Sequence, residues 1–177
     1  MFTPTPLPNL LLYTPRRFGD DRGYFEETYN QRVFAEAGVA CAFVQDNQAR
    51  STLGVLRGMH FQTGEYAQAK LVRVLEGEVY DAVVDLRPDS PTYGQSYGLL
   101  LSAENRRQLF VPRGFAHGYL VTSPTATFAY KCDNFYAPQA EGGLRYDDPA
   151  LDISWPEIEG ELTVAERDLN WPLLEKR

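Results

Sequence analysis

Two histidines and a few cations are the residues of this chain best suited to chemistry. His60 lies in Leu56-Arg-Gly-Met-His-Phe-Gln62, between Arg57 and Lys70, and His117 closes the segment Pro112-Arg-Gly-Phe-Ala-His117. An imidazole titrates near neutrality, so it can remove a proton made acidic by a neighbouring carbonyl. A cation at the carbonyl oxygen would hold the resulting enolate. Lys70 is the candidate, with Arg57 either helping or gripping a phosphate through its planar fork. A base flanked by two cations suits an anionic substrate. Tyr130 is a possible acid, returning a proton to the face opposite the base. In the alternating run Phe128, Tyr130, Cys132 it could equally be ordinary core packing with its hydroxyl at a rim.

Strands have to position these groups. Lys70, Val72 and Val74 alternate with Leu71, Arg73 and Leu75, and Glu76-Gly77 can turn the chain back. The pattern predicts a hairpin that brings Lys70 alongside the strand carrying Arg57 and His60. Arg57 and His60 have opposite parity on a regular strand, so both face one pocket only if the chain bulges, which Gly58 between them permits.

Further strands are predicted at Leu10-Tyr13, within Phe18-Tyr29 after a turn, at Phe43-Asn47, Tyr97-Ser102, Gln108-Val111 and His117-Thr122, and from Thr125 onward. Gln48-Thr52 reads as a polar connecting segment. Asn30 can cap one short helix over Gln31-Ala37, where Val33, Phe34 and Ala37 follow helical spacing and Gly38 ends the element. Beyond Tyr136, prolines, glycines and acidic residues indicate loop-rich covering structure. The first nine residues hold three prolines and are expected to lie extended on a surface, within reach of a neighbouring subunit.

With 177 residues, 44% hydrophobic and 13% aromatic, the chain fits one domain with a sizeable core. The abundance of strand formers and turn clusters points to an all-β sandwich with a few short helices. The net charge of -7 argues against nucleic acid as partner, because phosphate-backbone binding needs a clustered basic surface. Cys41 and Cys132 give no disulfide framework and suit a reducing cytosol. The early apolar run Leu10-Tyr13 is too short to span a membrane or to serve as a signal core, so a cytoplasmic location with no membrane partner is expected.

The two histidine segments have cupin-like spacing. A metal-binding cupin is similar but offers two histidines and a carboxylate in the first segment, where this chain has Gln62 and Lys70, a poor set for a divalent cation. The expectation is a cupin-type jelly roll that works without metal. For each histidine the plainer alternative is a hydrogen-bonded core residue.

Beyond these segments the chain resembles the dTDP-4-dehydrorhamnose 3,5-epimerases from about Phe18 to the C-terminus. The likeness runs through Asp21-Arg-Gly-Tyr-Phe-Glu-Glu27, Phe43-Val-Gln-Asp-Asn47, Gly54-Val-Leu-Arg-Gly-Met-His-Phe-Gln62, Lys70-Leu-Val-Arg-Val74 and Val111-Pro-Arg-Gly-Phe-Ala-His-Gly118. It continues through Tyr130-Lys131, Phe135-Tyr-Ala-Pro138, Asp147-Asp-Pro149 and Ala165-Glu-Arg-Asp168. The resemblance implies that His60 is the base, Asp168 the carboxylate orienting it, Tyr130 the proton donor and Lys70 the residue at the keto oxygen. It places Arg57 and His117 along the sugar and diphosphate pocket, Gln45 and Asn47 at the nucleotide, and Glu141 at a further substrate contact. Tyr136 would line the pocket or simply pack beside Pro138. Arg22 and Glu27 match positions that close the site from a partner subunit, implying a homodimer with the region 1-30 exchanged.

The implied substrate is dTDP-4-dehydro-6-deoxy-D-glucose, inverted at C3 and C5 without a cofactor, because the C4 ketone is the electron sink. A relative inverting only one of these carbons, a non-catalytic sugar-binding cupin and a metal-dependent cupin oxygenase are the alternatives. Three departures stand out. Thr63-Gln68 lacks prolines frequent in relatives, Cys132-Asp-Asn134 replaces a commoner threonine and aspartate run, and Arg167 stands where lysine is frequent.

Overall fold

The computed structural model describes residues 1–175. Along the chain run β1 (Phe2–Pro4), β2 (Leu11–Tyr13), β3 (Arg17–Asp20), β4 (Gly23–Glu26), α1 (Gln31–Glu36), β5 (Gln45–Thr52), β6 (Val55–Gln62), β7 (Lys70–Glu76) and β8 (Glu78–Asp85). There follow β9 (Ser96–Ser102), β10 (Gln108–Val111), β11 (Phe115–Val121), β12 (Thr125–Cys132), β13 (Glu141–Gly143), β14 (Thr163–Val164) and α2 (Glu166–Leu169). One sheet has the order β1-β2-β10-β7-β12-β5 and the other β13-β6-β11-β8-β9, with β14 joining β6 in parallel. Two antiparallel sheets face to face form the expected jelly-roll sandwich.

Alternation along each strand builds three apolar layers. Val72, Val74, Val83, Leu101, Leu109 and Phe128 meet between the sheets. Leu71 and Phe110 point the other way and pack under Phe34 of α1, whose first turn is capped by the Asn30 side chain accepting from Arg32 N at 3.1 Å. Val84 and Ala116 point outward from the second sheet and are covered by Leu144 and Leu151 of the C-terminal loops. One end of the sandwich is lined by polar side chains instead of apolar ones, and the site lies there.

Two expectations need correction. Glu76-Gly77 is not a hairpin turn, since β7 pairs with β10 and β12 while β8 pairs with β11 and β9. Gly77, at φ 74°, carries the chain from one sheet to the other. Lys70 therefore reaches His60 across the sandwich, not from a neighbouring strand. Gln48–Thr52 is strand and not a connecting segment, because β5 begins at Gln45 and runs in unbroken register with β12, from Cys132↔Gln45 to Thr125↔Thr52.

The N-terminal region divides in two. β1 and β2 lie in this chain's own sheet, with β2 paired to β10. The ribbon β3–β4 pairs only with itself and holds Phe18, Tyr24 and Phe25 at 52%, 62% and 69% exposure. Of residues 1–30, the ribbon is the portion not committed to either large sheet.

Candidate active site

The geometry starts from an irregularity in β6. His60 stands opposite His117 and Arg57 opposite Tyr119, so Gly58 and Met59 together face the single residue Gly118. Two residues against one make a β-bulge. Gly58 sits at φ 137°, and a Cβ there would lie 2.5 Å from Gly118 Cα, so only glycine fits. The Gly58–Met59 peptide is cis. Met59 turns into the outer apolar layer, while Arg57 and His60 both line the cleft, as their parity required.

Asp168 arrives from the far end of the sequence. β14 runs beside Val55 and Leu56 and delivers α2 to the base of the cleft. There His60 Nε2 lies 2.7 Å from Asp168 Oδ1. Trp171 Nε1 donates to the same oxygen at 3.3 Å, Gly58 N donates to Oδ2 at 3.3 Å, and Arg167 Nε lies 3.4 Å from Oδ1. Burial alone would raise the Asp168 carboxyl, but the bond and charge of His60 and the donors from Gly58 and Trp171 outweigh it and hold it below the ordinary carboxylate value. An ionised carboxylate only accepts, so it fixes the proton of neutral His60 on Nε2 and leaves the lone pair on Nδ1.

Lys70 lines the cleft from the opposite sheet and has no hydrogen-bond or ion-pair partner among the described residues. Burial lowers its ammonium below the ordinary lysine value, with Cys132, Asp81 and Glu141 pulling in the other direction. Tyr130 both packs and faces the cleft. Its ring packs on the core and tilts against Phe128 at 6.1 Å, and its side chain also lines the cleft. Burial, with smaller contributions from Cys132 and Tyr119, pushes the phenol up, so it is protonated at neutral pH.

The cleft has an inner part of about 390 Å³ and an outer part of about 340 Å³, joined by His60, Lys70, Tyr130 and Arg167, which line both. Arg57 and His117 belong to the inner part, and His117 Nε2 lies 2.9 Å from buried Asp81 Oδ2. Gln45, Asn47, Tyr136 and Glu141 line the outer part. Tyr136 OH donates to Glu141 Oε2 at 3.0 Å, which Arg167 Nη1 also reaches at 3.2 Å. Gln45 Oε1 accepts from Tyr136 N at 3.0 Å, its amide donates to Asn47 at 3.1 Å, and Asn47 donates to Cys132 Sγ at 3.7 Å.

Arg22 and Glu27 are not brought to this cleft. Arg22 sits at the tip of the ribbon, paired with Asp20, and lines neither part. Arg167 and Trp171 are contributors that the spacing did not reveal, because they lie in a charged, aperiodic tail. Gln62, at the cupin ligand position, is consumed by the backbone. Its Nε2 donates to Tyr66 O at 2.7 Å and Phe135 O at 3.2 Å, while Oε1 accepts from Ala137 N at 2.7 Å. Among the described residues, no three His, Cys, Asp or Glu side chains are grouped to hold a metal ion.

The family model described as dTDP-4-dehydrorhamnose 3,5-epimerase matches residues 4–176. The Shigella flexneri protein of that name is 50% identical over 94% of this chain and 91% of its own length. The solved structure of the Elizabethkingia anophelis enzyme superposes with a TM-score of 0.94 at 50% identity, covering 98% of this chain and 95% of that one. The Legionella pneumophila 3,5-epimerase, solved in complex with dTDP-4-keto-L-rhamnose, gives 0.94 at 44% identity, covering 98% and 92%. An imidazole held by a buried carboxylate stands with a lysine and a phenol around one cleft on this sandwich, and with these relatives the conclusion is that the chain belongs to the dTDP-4-dehydrorhamnose 3,5-epimerase family.

Proposed function

We propose that this protein epimerises dTDP-4-dehydro-6-deoxy-D-glucose at C3 and C5 to dTDP-4-dehydro-L-rhamnose, with the catalytic set His60, Asp168, Lys70 and Tyr130. The observation that carries the reading is their convergence: the base pair comes from β6 and α2, the ammonium and the phenol from the opposing sheet, and all but Asp168 line both parts of the cleft. The C4 ketone acidifies the hydrogens at C3 and C5. His60 takes one, using the lone pair that Asp168 leaves on Nδ1, and Asp168 supports the imidazolium that forms. Lys70 donates to the developing enolate oxygen, and its lack of another partner keeps it available. Tyr130 or a water returns a proton to the opposite face, and the cycle repeats at the second carbon. The ketone itself takes up the electron pair, so no cofactor enters the scheme.

Arg57 and His117 hold the diphosphate side of the sugar, and Gln45 and Asn47 the nucleotide, which supplies remote binding energy that fixes the ring against the base. The chain acts as a single domain. The exposed aromatic ribbon carrying Arg22, with Glu27 just beyond it, supports a homodimer in which each ribbon completes the partner's cleft. No helix among the described residues is long and apolar enough to cross a membrane, and a nucleotide-sugar substrate fits a cytoplasmic enzyme.

The test is proton NMR of the substrate incubated with the protein in deuterated water. Deuterium enters both C3 and C5, and His60→Ala slows both by at least about 10³-fold. Label at one carbon alone would reassign the protein to single-site epimerisation. No exchange despite dTDP binding would sink the catalytic role of His60.

A further inference from the structure

We infer that Asp81 is a positioning residue for the reaction: it anchors His117 with one oxygen and, with the other, supplies the counter-charge that keeps the Lys70 ammonium protonated inside the cleft. The inference rests on the role proposed for Lys70 and extends it to a residue that the resemblance did not assign.

The geometry begins with an unmet atom. Asp81 is fully buried on β8; Oδ2 is taken by His117 Nε2 at 2.9 Å, and Oδ1 has no hydrogen-bond partner among the described residues. A purely structural buried carboxylate in this protein looks different. Asp85, four residues on and equally buried, has both oxygens filled, by Arg87 at 2.8 and 2.6 Å, Ser90 at 2.6 Å and Thr92 at 2.7 Å. An acceptor-only group left half satisfied in the interior is costly unless a charge nearby repays it.

Lys70 is such a charge: it lines the inner cleft together with His117, the residue that holds Asp81 Oδ2 at 2.9 Å, and it too lacks a partner among the described residues. The other groups around it leave Asp81 as the uncommitted anion. Cys132 and Tyr130, from β12, are both raised by burial, the thiol to about 11, and stay neutral. Glu141, from β13, is already bound by Tyr136 and Arg167, and Asp168, on α2, by His60, Trp171, Gly58 and Arg167. His60, His117 and Arg57 add no negative charge. Burial lowers the Lys70 ammonium, and Asp81 is among the groups that pull it back upward; no ion pair forms between the two, so the amine remains open to an enolate oxygen.

The chain has three lysines, Lys70, Lys131 and Lys176, so side-chain NMR of ¹³C-lysine-labelled protein can follow Lys70 directly, assigned by its disappearance in Lys70→Arg. In ligand-free Asp81→Asn the Lys70 midpoint is expected to fall by about half a pH unit or more, with Lys131 unmoved. The alkaline limb of the kcat profile should fall by the same amount, with dTDP affinity changed less than about threefold. If Asp81→Asn does not fold, the paired variant Asp81→Asn/His117→Gln replaces both partners with amides and gives the same lysine readout. An unchanged Lys70 midpoint in the folded variant overturns the inference and leaves Asp81 as a carboxylate met by trapped water. Because the midpoint is read without substrate, it decides the role of Asp81 whether or not Lys70 proves to be the residue at the keto oxygen.

Discussion

His60 and His117 stand directly opposite one another on β6 and β11, and each is bonded through Nε2 to a buried aspartate, at 2.7 and 2.9 Å. The likeness ends at the carboxylates. Asp168 takes donors on both oxygens and comes from a C-terminal segment laid against the sheet, while Asp81 is built into the sheet with one oxygen unmet. Solvent reach differs as well: the His60 side chain is 21% exposed and that of His117 7%. On the proposed reading, the same two side chains make a base where the imidazole opens on the cleft, and a fixed piece of wall where it is sunk beneath it. Residue type does not separate the two roles; access and the surroundings of the carboxylate do.

The comparison breaks most decisively at Asp168. Asp168→Asn keeps the shape but no longer dictates which nitrogen of His60 carries the proton, and exchange at C3 and C5 should fall by roughly 10²- to 10³-fold with dTDP binding little changed. The same group also ties stability to pH. Its folded carboxyl lies below the ordinary aspartate value, so its contribution is complete above that ordinary value and lost as pH falls through the lower folded one, and an acid unfolding series should show this limb shrink in Asp168→Asn.

The second pair gives a smaller effect of another kind. His117→Gln should weaken dTDP binding by about tenfold, read by calorimetry, while the exchange rate at saturating substrate falls less than about threefold. A collapse in that rate instead would make His117 a second base and erase the distinction.

Asp85 supplies the control with the smallest effect on chemistry. Its carboxyl is brought down to about 2, because the donors from Arg87, Ser90 and Thr92 outweigh burial. Asp85→Asn should leave exchange intact and cost about 2 kcal/mol of stability at neutral pH. That contribution is present in the native protein above about pH 4 and disappears toward pH 2, which urea denaturation across this range would show.

How much of this was legible in the sequence depends on the range of the information. The bulge was legible as a condition: two residues three apart cannot share a face on a regular strand, so Arg57 and His60 could meet only if the chain bulged, and a glycine lay between them to permit it. The Lys70 hairpin misled because a chain that changes sheets and one that turns back within a sheet look alike locally. Alternation and a glycine are common to both, and only the later strands β10 and β12 claim β7 for the other sheet. Gln48–Thr52 was hidden for a related reason. Gln45, Asn47 and Ala49 face the cleft instead of the apolar core, so the usual hydrophobic signature of a strand is missing. Arg167 and Trp171 lie in a tail without periodicity, where only tertiary packing gives them a role.

The bulge at Gly58 also bears on how such a site can change over generations. Which face of a strand a residue occupies is a two-valued property, so Arg57 shares the cleft with His60 or is turned away from it, with no position between. Losing one residue there would reverse Arg57 in a single step and leave no partly working form for selection to refine. Gradual divergence in what the enzyme accepts is therefore confined to parts of the cleft whose side chains can change without a reversal of face, such as the segment around Tyr136.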